Sequence, residues 1–180
     1  MLRYVTTNEG KVREAMDYLG SSVEAVNHEY LEPQASNLEE IAAYGAKACF
    51  EALPGDDPVI VDDAGLFITA LDGFPGPYSA YVEETLGIKR VASLARAEDD
   101  HSASFRAVIG FSDGAITKTF EGVVRGRIVE PRGDGGFGYD PIFAHGEQTF
   151  AELSVSEKNA RSHRGRALER FADWFDEPTT

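Results

Sequence analysis

PVIVDDAGLF, residues 58–67, decides the fold. PVIV (58–61) is a continuous apolar run, the pattern of a central strand buried on both faces. The run stops abruptly at two adjacent acids, Asp62 and Asp63. Neighbouring like charges are unfavourable unless a cation, a donor or water satisfies them. The carboxyl ends of such strands are also where open α/β sheets place ligand crevices. The stretch therefore reads as a strand that delivers two carboxylates to a site. The plainer reading is that the acids only open a turn.

Outward from this strand, the pattern alternates strands and helices. LRYVT (2–6) reads as a strand and TTNEGK (6–11) as a polar loop. Val12, Ala15, Met16 and Leu19 then fall on one face of a helix that ends at Gly20. SVEAV (22–26) fits a second strand. Residues 37–53 read as a helix with Leu38, Ile41, Ala42, Gly45, Cys49 and Leu53 buried, and Asn37 with Glu40 resembles a capping box. Beyond the acids, LFITAL resumes the apolar pattern and DGFPGPYSA (72–80) is a turn-rich loop. A helical segment covers 79–96. Residues 102–111 and 115–129 alternate as strands around Asp113-Gly114, a hairpin signal. Residues 131–141 read as loop. Residues 156–175 read as a loop leading into a last helix, with Ala167, Leu168, Phe171, Trp174 and Phe175 as its buried side. No repeat or linker interrupts the chain, so residues 1–180 read as one domain.

Charge excludes some partners. The chain has 31 Asp+Glu against 17 Lys+Arg, a formal net charge of −14. Nucleic-acid binding depends on cations neutralising phosphates, so no nucleic-acid partner is expected. No run approaches the roughly 18 apolar residues of a membrane span, and the first residues lack a secretion signal. A lone cysteine, Cys49, excludes an internal disulfide and favours a reducing compartment. The chain reads as cytoplasmic, and its acidity as suited to a salt-rich, halophilic cytoplasm.

Three loops and one basic stretch are fit for chemistry. TTNEGK joins a strand to a helix, whose N-terminal amides favour anions, and Lys11 adds a positive charge. Oxygen ligands without a His/Cys cluster suit Mg2+, held by one or two carboxylates plus substrate phosphates. GDGGFGYDP (133–141) offers glycines for close approach and two rings, Phe137 and Tyr139, able to stack on a base. KNARSHRGR (158–166) concentrates positive charge in an acidic chain. Lys158 suits a phosphate and His163-Arg164 a base edge, and the stretch reads as a positive wall facing a polyanionic nucleotide. Each feature also has a bland reading: a solvated turn, a capping Glu40, buried core aromatics, and arginines paired with surface acids.

Together these segments resemble the non-standard purine nucleoside triphosphate diphosphatases, the inosine or xanthosine triphosphate pyrophosphatases. The matching pieces are TTNEGKVRE, the LEE of the second helix, VDDAGLFITALDGFPGPYSAYV, GFGYDPIF and TFAELSVSEKNARSHRGRAL, in order along nearly the whole chain. The LEEIAAYGAK helix looks archaeal. The resemblance implies an α/β fold, elongated and two-lobed around a long mixed β-sheet with flanking helices, with the active site in the cleft between the lobes and a homodimeric assembly. It implies Mg2+-dependent hydrolysis of ITP, dITP or XTP to the monophosphate and pyrophosphate.

By position, the phosphate-loop role falls on Thr6, Thr7, Asn8, Glu9, Gly10 and Lys11. Metal binding falls on Glu40 and Asp63, with Asp62 beside them, and the general base on Asp63. Lys11 and Lys158 stabilise the leaving pyrophosphate. Base and substrate contacts fall on Phe137, Gly138, Tyr139, Asp140, Lys158, His163 and Arg164. Two positions depart from the family pattern. Thr7 stands where many members have Gly, and Ala64 where many have Ser or Thr, which removes a hydroxyl donor. A diphosphatase for modified pyrimidine nucleotides and a non-catalytic nucleotide-binding module are the alternative readings.

Overall fold

The computed structural model describes residues 1–20 and 23–176, with the Glu9 side chain outside the description. It has the α/β class expected. Among the described residues, eight strands form one mixed sheet in the order β2-β1-β3-β5-β6-β7-β8, with β4 paired to β3. The strands are β1 (Leu2–Val5), β2 (Val23–Val26), β3 (Val59–Ile68), β4 (Pro75–Gly76), β5 (Ser102–Ser112), β6 (Thr117–Ile128), β7 (Phe143–His145) and β8 (Gln148–Thr149). β1 pairs in parallel with β2 and β3, whereas β4, β7 and β8 pair antiparallel with their neighbours. The helices are α1 (Glu9–Leu19), α2 (Leu38–Ala52), α3 (Ser79–Thr85), α4 (Ile88–Arg96), α5 (Val155–Arg161) and α6 (His163–Phe175).

Two compact units share these elements. One contains Met1–Asp63, Ala107–Gly122 and the chain from Arg164 on; the other contains Ala64–Arg106 and Val123–His163. In the first, α2 lies so close to β5 that a Cβ on Gly110 would stand 2.2 Å from the Ala42 carbonyl oxygen. In the same unit Trp174 and Phe171 of α6 pack with Phe111 and Phe120, and the Lys118 ammonium lies 4.5 Å over the Trp174 ring. In the second unit, Leu66, Ile68, Phe105, Val124 and Ile128 of the strands pack on Val82 of α3 and Val91, Ala92 and Ala95 of α4.

Local chemistry sets the element ends. Asp113 Oδ1 accepts the N–H groups of Ala115 and Ile116, each at 2.9 Å, and Gly114 takes φ 86°, closing the β5–β6 hairpin where the sequence places it. Asn37 Oδ1 accepts the Glu40 N–H at 2.8 Å and starts α2.

Several expectations are corrected. β3 does not stop at Asp62 but runs unbroken to Ile68, because the Asp62 carboxylate is satisfied inside the strand by cations from distant elements. The helical segment 79–96 is two helices, parted at Gly87 with φ 81°. Met16 is exposed on α1, whose buried positions are Glu14 and Ala15. Leu53 is only half-buried and Phe175 is exposed. The start of the basic stretch is helical, since Ser154 and Glu157 form a capping box for α5. The β7–β8 hairpin lies in residues that carried no strand signal. Ser22, the first residue of the expected second strand, lies outside the described residues.

The contact between α2 and β5 gives a stability test. Gly110→Ala should lose about 1–3 kcal/mol by overpacking, because the obstructing atom is backbone. Urea denaturation measures it, and an unchanged midpoint would contradict the close packing.

Candidate active site

Asp62 is the hub of the first unit's polar chemistry. Its side chain is 0% exposed. Its Oδ1 accepts the Lys11 ammonium and its Oδ2 accepts Arg164 Nε. Arg164 Nη1 donates to Glu14 Oε2 at 3.2 Å, and both of those residues are buried too. Lys11 Nζ also reaches the Asp62 carbonyl at 3.4 Å. Two carboxylates and two cations thus close into a neutral quartet drawn from α1, β3 and α6. Burial by itself raises the Asp62 pKa. The charges of Arg164 and then Lys11, with their hydrogen bonds, outweigh it and hold the carboxyl well below the usual range. Burial lowers the Arg164 pKa, and Asp62 and Glu14 more than restore it. Tyr4 of β1 is also fully buried here, and burial followed by the Asp62 charge pushes its phenol up.

The phosphate loop is an ordered helix start. Asn8 caps α1, its side-chain oxygen accepting Gly10 N–H at 2.9 Å and Lys11 N–H at 3.3 Å. Thr6 Oγ1 accepts the Asn8 N–H at 3.1 Å, and Thr7 is exposed. The Asn8 side chain therefore holds the amides assigned from sequence to phosphate.

Asp63 is half-exposed and, by strand alternation, faces the side of the sheet opposite Asp62. Burial, then Glu32, Cys49, Asp63 and Asp62, raise the Tyr30 phenol, and Tyr30 packs on Gly45 of α2. Glu40 is exposed in the first turn of α2. Among the described residues no group of three or more His, Cys, Asp or Glu gathers for a metal. Two carboxylates that complete a Mg2+ shell with water and phosphate need no such group, so this hard-oxygen pair fits.

In the second unit, the loop from Gly133 to Pro141 is built around Asp140. This buried carboxylate accepts the Phe137 N–H at 2.8 Å and the Lys158 ammonium, which also lies 4.1 Å over the Phe137 ring. Gly136 at φ 72° leaves the room Asp140 needs: a Cβ there would stand 2.1 Å from its Oδ2. Phe137 is 60% exposed, with the Lys158 ammonium over one face of its ring. Tyr139 is buried, and its hydroxyl donates to the Ser79 carbonyl at 2.8 Å. It is a tie within the unit.

The basic stretch is not a wall. Lys158 turns to Asp140. His163 is buried and stacked on Phe105 at 4.8 Å, in the aromatic core of the second unit. Arg164 is buried in the quartet of the first. Only Arg161 and Arg166 point outward. His163 and Arg164, assigned from sequence to a base edge, are thus both buried, one against Phe105 and the other between two carboxylates. Sequence reasoning missed Glu14 and Tyr4. An acid four residues before Tyr18 on a short amphipathic helix was the available signal for Glu14.

Two expectations follow. Arg164→Met leaves Asp62 and Glu14 buried without their guanidinium and should lose about 3–5 kcal/mol, against about 0.5 kcal/mol or less for exposed Arg161→Met. The Asp62 pKa is depressed on folding, so its contribution is present above the unfolded value of about 3.9 and is lost as pH falls below it. Asp62→Asn should flatten that acid limb in stability measured against pH; an unaltered limb would place the titrating group elsewhere.

The sequence model of the Ham1 family matches residues 2–174, nearly the whole described chain. A dITP/XTP pyrophosphatase of Methanopyrus kandleri is 53% identical over 96% of this chain and 94% of its own. One of Thermococcus kodakarensis is 48% identical over 98% and 97%. Among solved structures, a HAM1 protein from Coxiella burnetii superposes with a TM-score of 0.87 at 32% identity, covering 98% of each chain.

Proposed function

The chain belongs to the Ham1 family, and from that premise we propose that it is a nucleoside triphosphate diphosphatase. It hydrolyses non-standard purine nucleotides, ITP, dITP and XTP, to the monophosphate and pyrophosphate. The observation that carries the chemistry is the Asp62-Asp63 pair. One carboxylate is neutralised and buried by Lys11 and Arg164, and its neighbour is left half-exposed on the other face of the strand.

Cleavage between the α- and β-phosphates needs a water in line with the α-phosphorus and compensation of charge on the departing pyrophosphate. Glu40 and Asp63 would hold Mg2+, which lowers the proton affinity of bound water and neutralises phosphate oxygens. Asp63 orients the attacking water and accepts its proton. Lys11 supplies positive charge to phosphate, and Asp62 fixes where that charge stands. Arg164 and Glu14 act through Asp62 as positioning residues. In the second unit Phe137 offers its ring to the base and Lys158 its charge to phosphate. Thr6, Asn8 and Gly10 shape the loop that presents Lys11, and with Lys11 the pair Thr7 and Glu9 complete the proposed phosphate-binding segment. Gly138 and Asp140 set the Phe137 loop.

The enzyme is proposed to work as a homodimer in a salt-rich cytoplasm, the acid excess keeping it soluble there. No helix among the described residues is long and apolar enough to cross a membrane.

Pyrophosphate release from ITP, dITP and XTP should be rapid with Mg2+ and slow from ATP, GTP and modified pyrimidine triphosphates, compared in low and molar KCl. Asp63→Asn should lose about 100-fold or more in kcat with the fold intact. Near-normal kcat in that variant would remove Asp63 from the role. Tight ITP binding without pyrophosphate release would make the chain a binding module.

A further inference from the structure

A second carboxylate meets the Phe137 loop from outside. Glu83 of α3 places Oε2 3.3 Å, and Oε1 3.9 Å, from where a Cβ would stand on Gly138. Gly138 has φ 60° and no side chain, so the acid approaches the loop backbone closely. Ser79 lies one turn before Glu83 and accepts the Tyr139 hydroxyl, so helix and loop are fastened together at this point. Glu83 is half-buried there.

The charged groups facing Glu83 are few in kind. Glu84 lies beside it on α3, and Asp140 and the Tyr139 phenol lie on the loop. Lys158 of α5 arrives through Asp140, to which it is bound. Burial raises the Glu83 pKa, and Glu84 and Asp140 add to the rise. Burial and then Glu83 raise Tyr139 in turn. With Glu83 ionised, Glu83, Asp140 and Lys158 leave one surplus negative charge beside the Phe137 ring. A triphosphate brought to Lys158 adds several more. Like charge disfavours the ionised acid, so the bound nucleotide favours protonated Glu83. The coupling is reciprocal: protonated Glu83 favours the nucleotide.

We propose that Glu83 is an affinity-determining residue, which takes up a proton as the anionic substrate binds and makes binding tighten as pH falls. This rests on Phe137 and Lys158 meeting the nucleotide, as proposed above.

Calorimetry with a non-hydrolysable imido analogue of ITP tests it, in buffers of different ionisation enthalpy from neutral to mildly acidic pH. The wild type should take up a fraction of a proton more than Glu83→Gln, a difference from which titration of the terminal phosphate cancels. Its affinity should rise by up to about tenfold towards acid, the equivalent of one pKa unit. Glu83→Gln should lose that rise and bind at least as tightly as wild type at neutral pH. Glu83→Asp and Glu84→Gln, which keep the Glu83-position charge, should retain the slope and serve if the Gln variant does not fold. Equal proton uptake and slope in wild type and Glu83→Gln, with ITP still cleaved, would overturn the Glu83 inference alone. Failure of the wild type to bind or cleave any purine triphosphate would overturn the functional reading and this inference with it.

Discussion

A carboxylate inside a sheet strand is tolerable only if cations come to it, and Asp62 obtains two. Lys11 and Arg164 each take one of its oxygens, and Glu14 takes the other side of the guanidinium. Three elements far apart in sequence must therefore converge on one residue of β3. Once they do, the strand can continue through an acidic pair, Asp63 is directed to the opposite face, and Lys11 is fixed at the head of α1. Buried ion pairs are weak evidence for net stability, because desolvation opposes the attraction. Their value here is positional. The quartet sets where each charge stands, and removal of one partner strands the others.

The second unit solves a similar problem on a smaller scale. Asp140 draws the Phe137 amide and the Lys158 ammonium onto itself, and glycine at 136 admits its carboxylate where a side chain would collide. The exposed Phe137 ring is thus held by a buried acid beneath it. A loop of this composition needs such an anchor, since glycine-rich backbone loses much conformational freedom on ordering. Gly136 serves close approach by an acid here, in addition to any approach by a ligand.

Features with local causes were legible in the sequence. The Asn37 cap, the Asp113-Gly114 turn and the buried stripe of α2 from Leu38 to Cys49 each depend on residues within a turn or two, and each is found in place. The family resemblance read from five segments agrees with the match over residues 2–174. What could not be read has distant causes. Asp62 meets partners 51 and 102 residues away, so no local pattern announced that β3 would pass through the acids. Arg164 and His163 read as donors to a base edge, and their burial was not legible because charge composition carries no burial information. Met16 looked like core because it keeps helical spacing, whereas the face actually buried is set by Glu14 and its guanidinium. Tyr139 and Phe137 are chemically alike and two residues apart, yet one is a core tie and the other an exposed ring under the Lys158 ammonium; only the fold separates them.

Trp174 is the chain's one tryptophan, and its ring sits among Phe111, Phe120 and Phe171 with the Lys118 ammonium above it. All of these residues belong to the first compact unit. Indole emission is therefore a natural optical label for that unit, tuned by a nearby positive charge, while the aromatic core around Phe105 and Tyr139 is silent at the same wavelength. Far-ultraviolet dichroism sums over both. Melting curves recorded by the two signals on unmodified protein would coincide if the units unfold together and separate if one melts first, with no dye or label introduced.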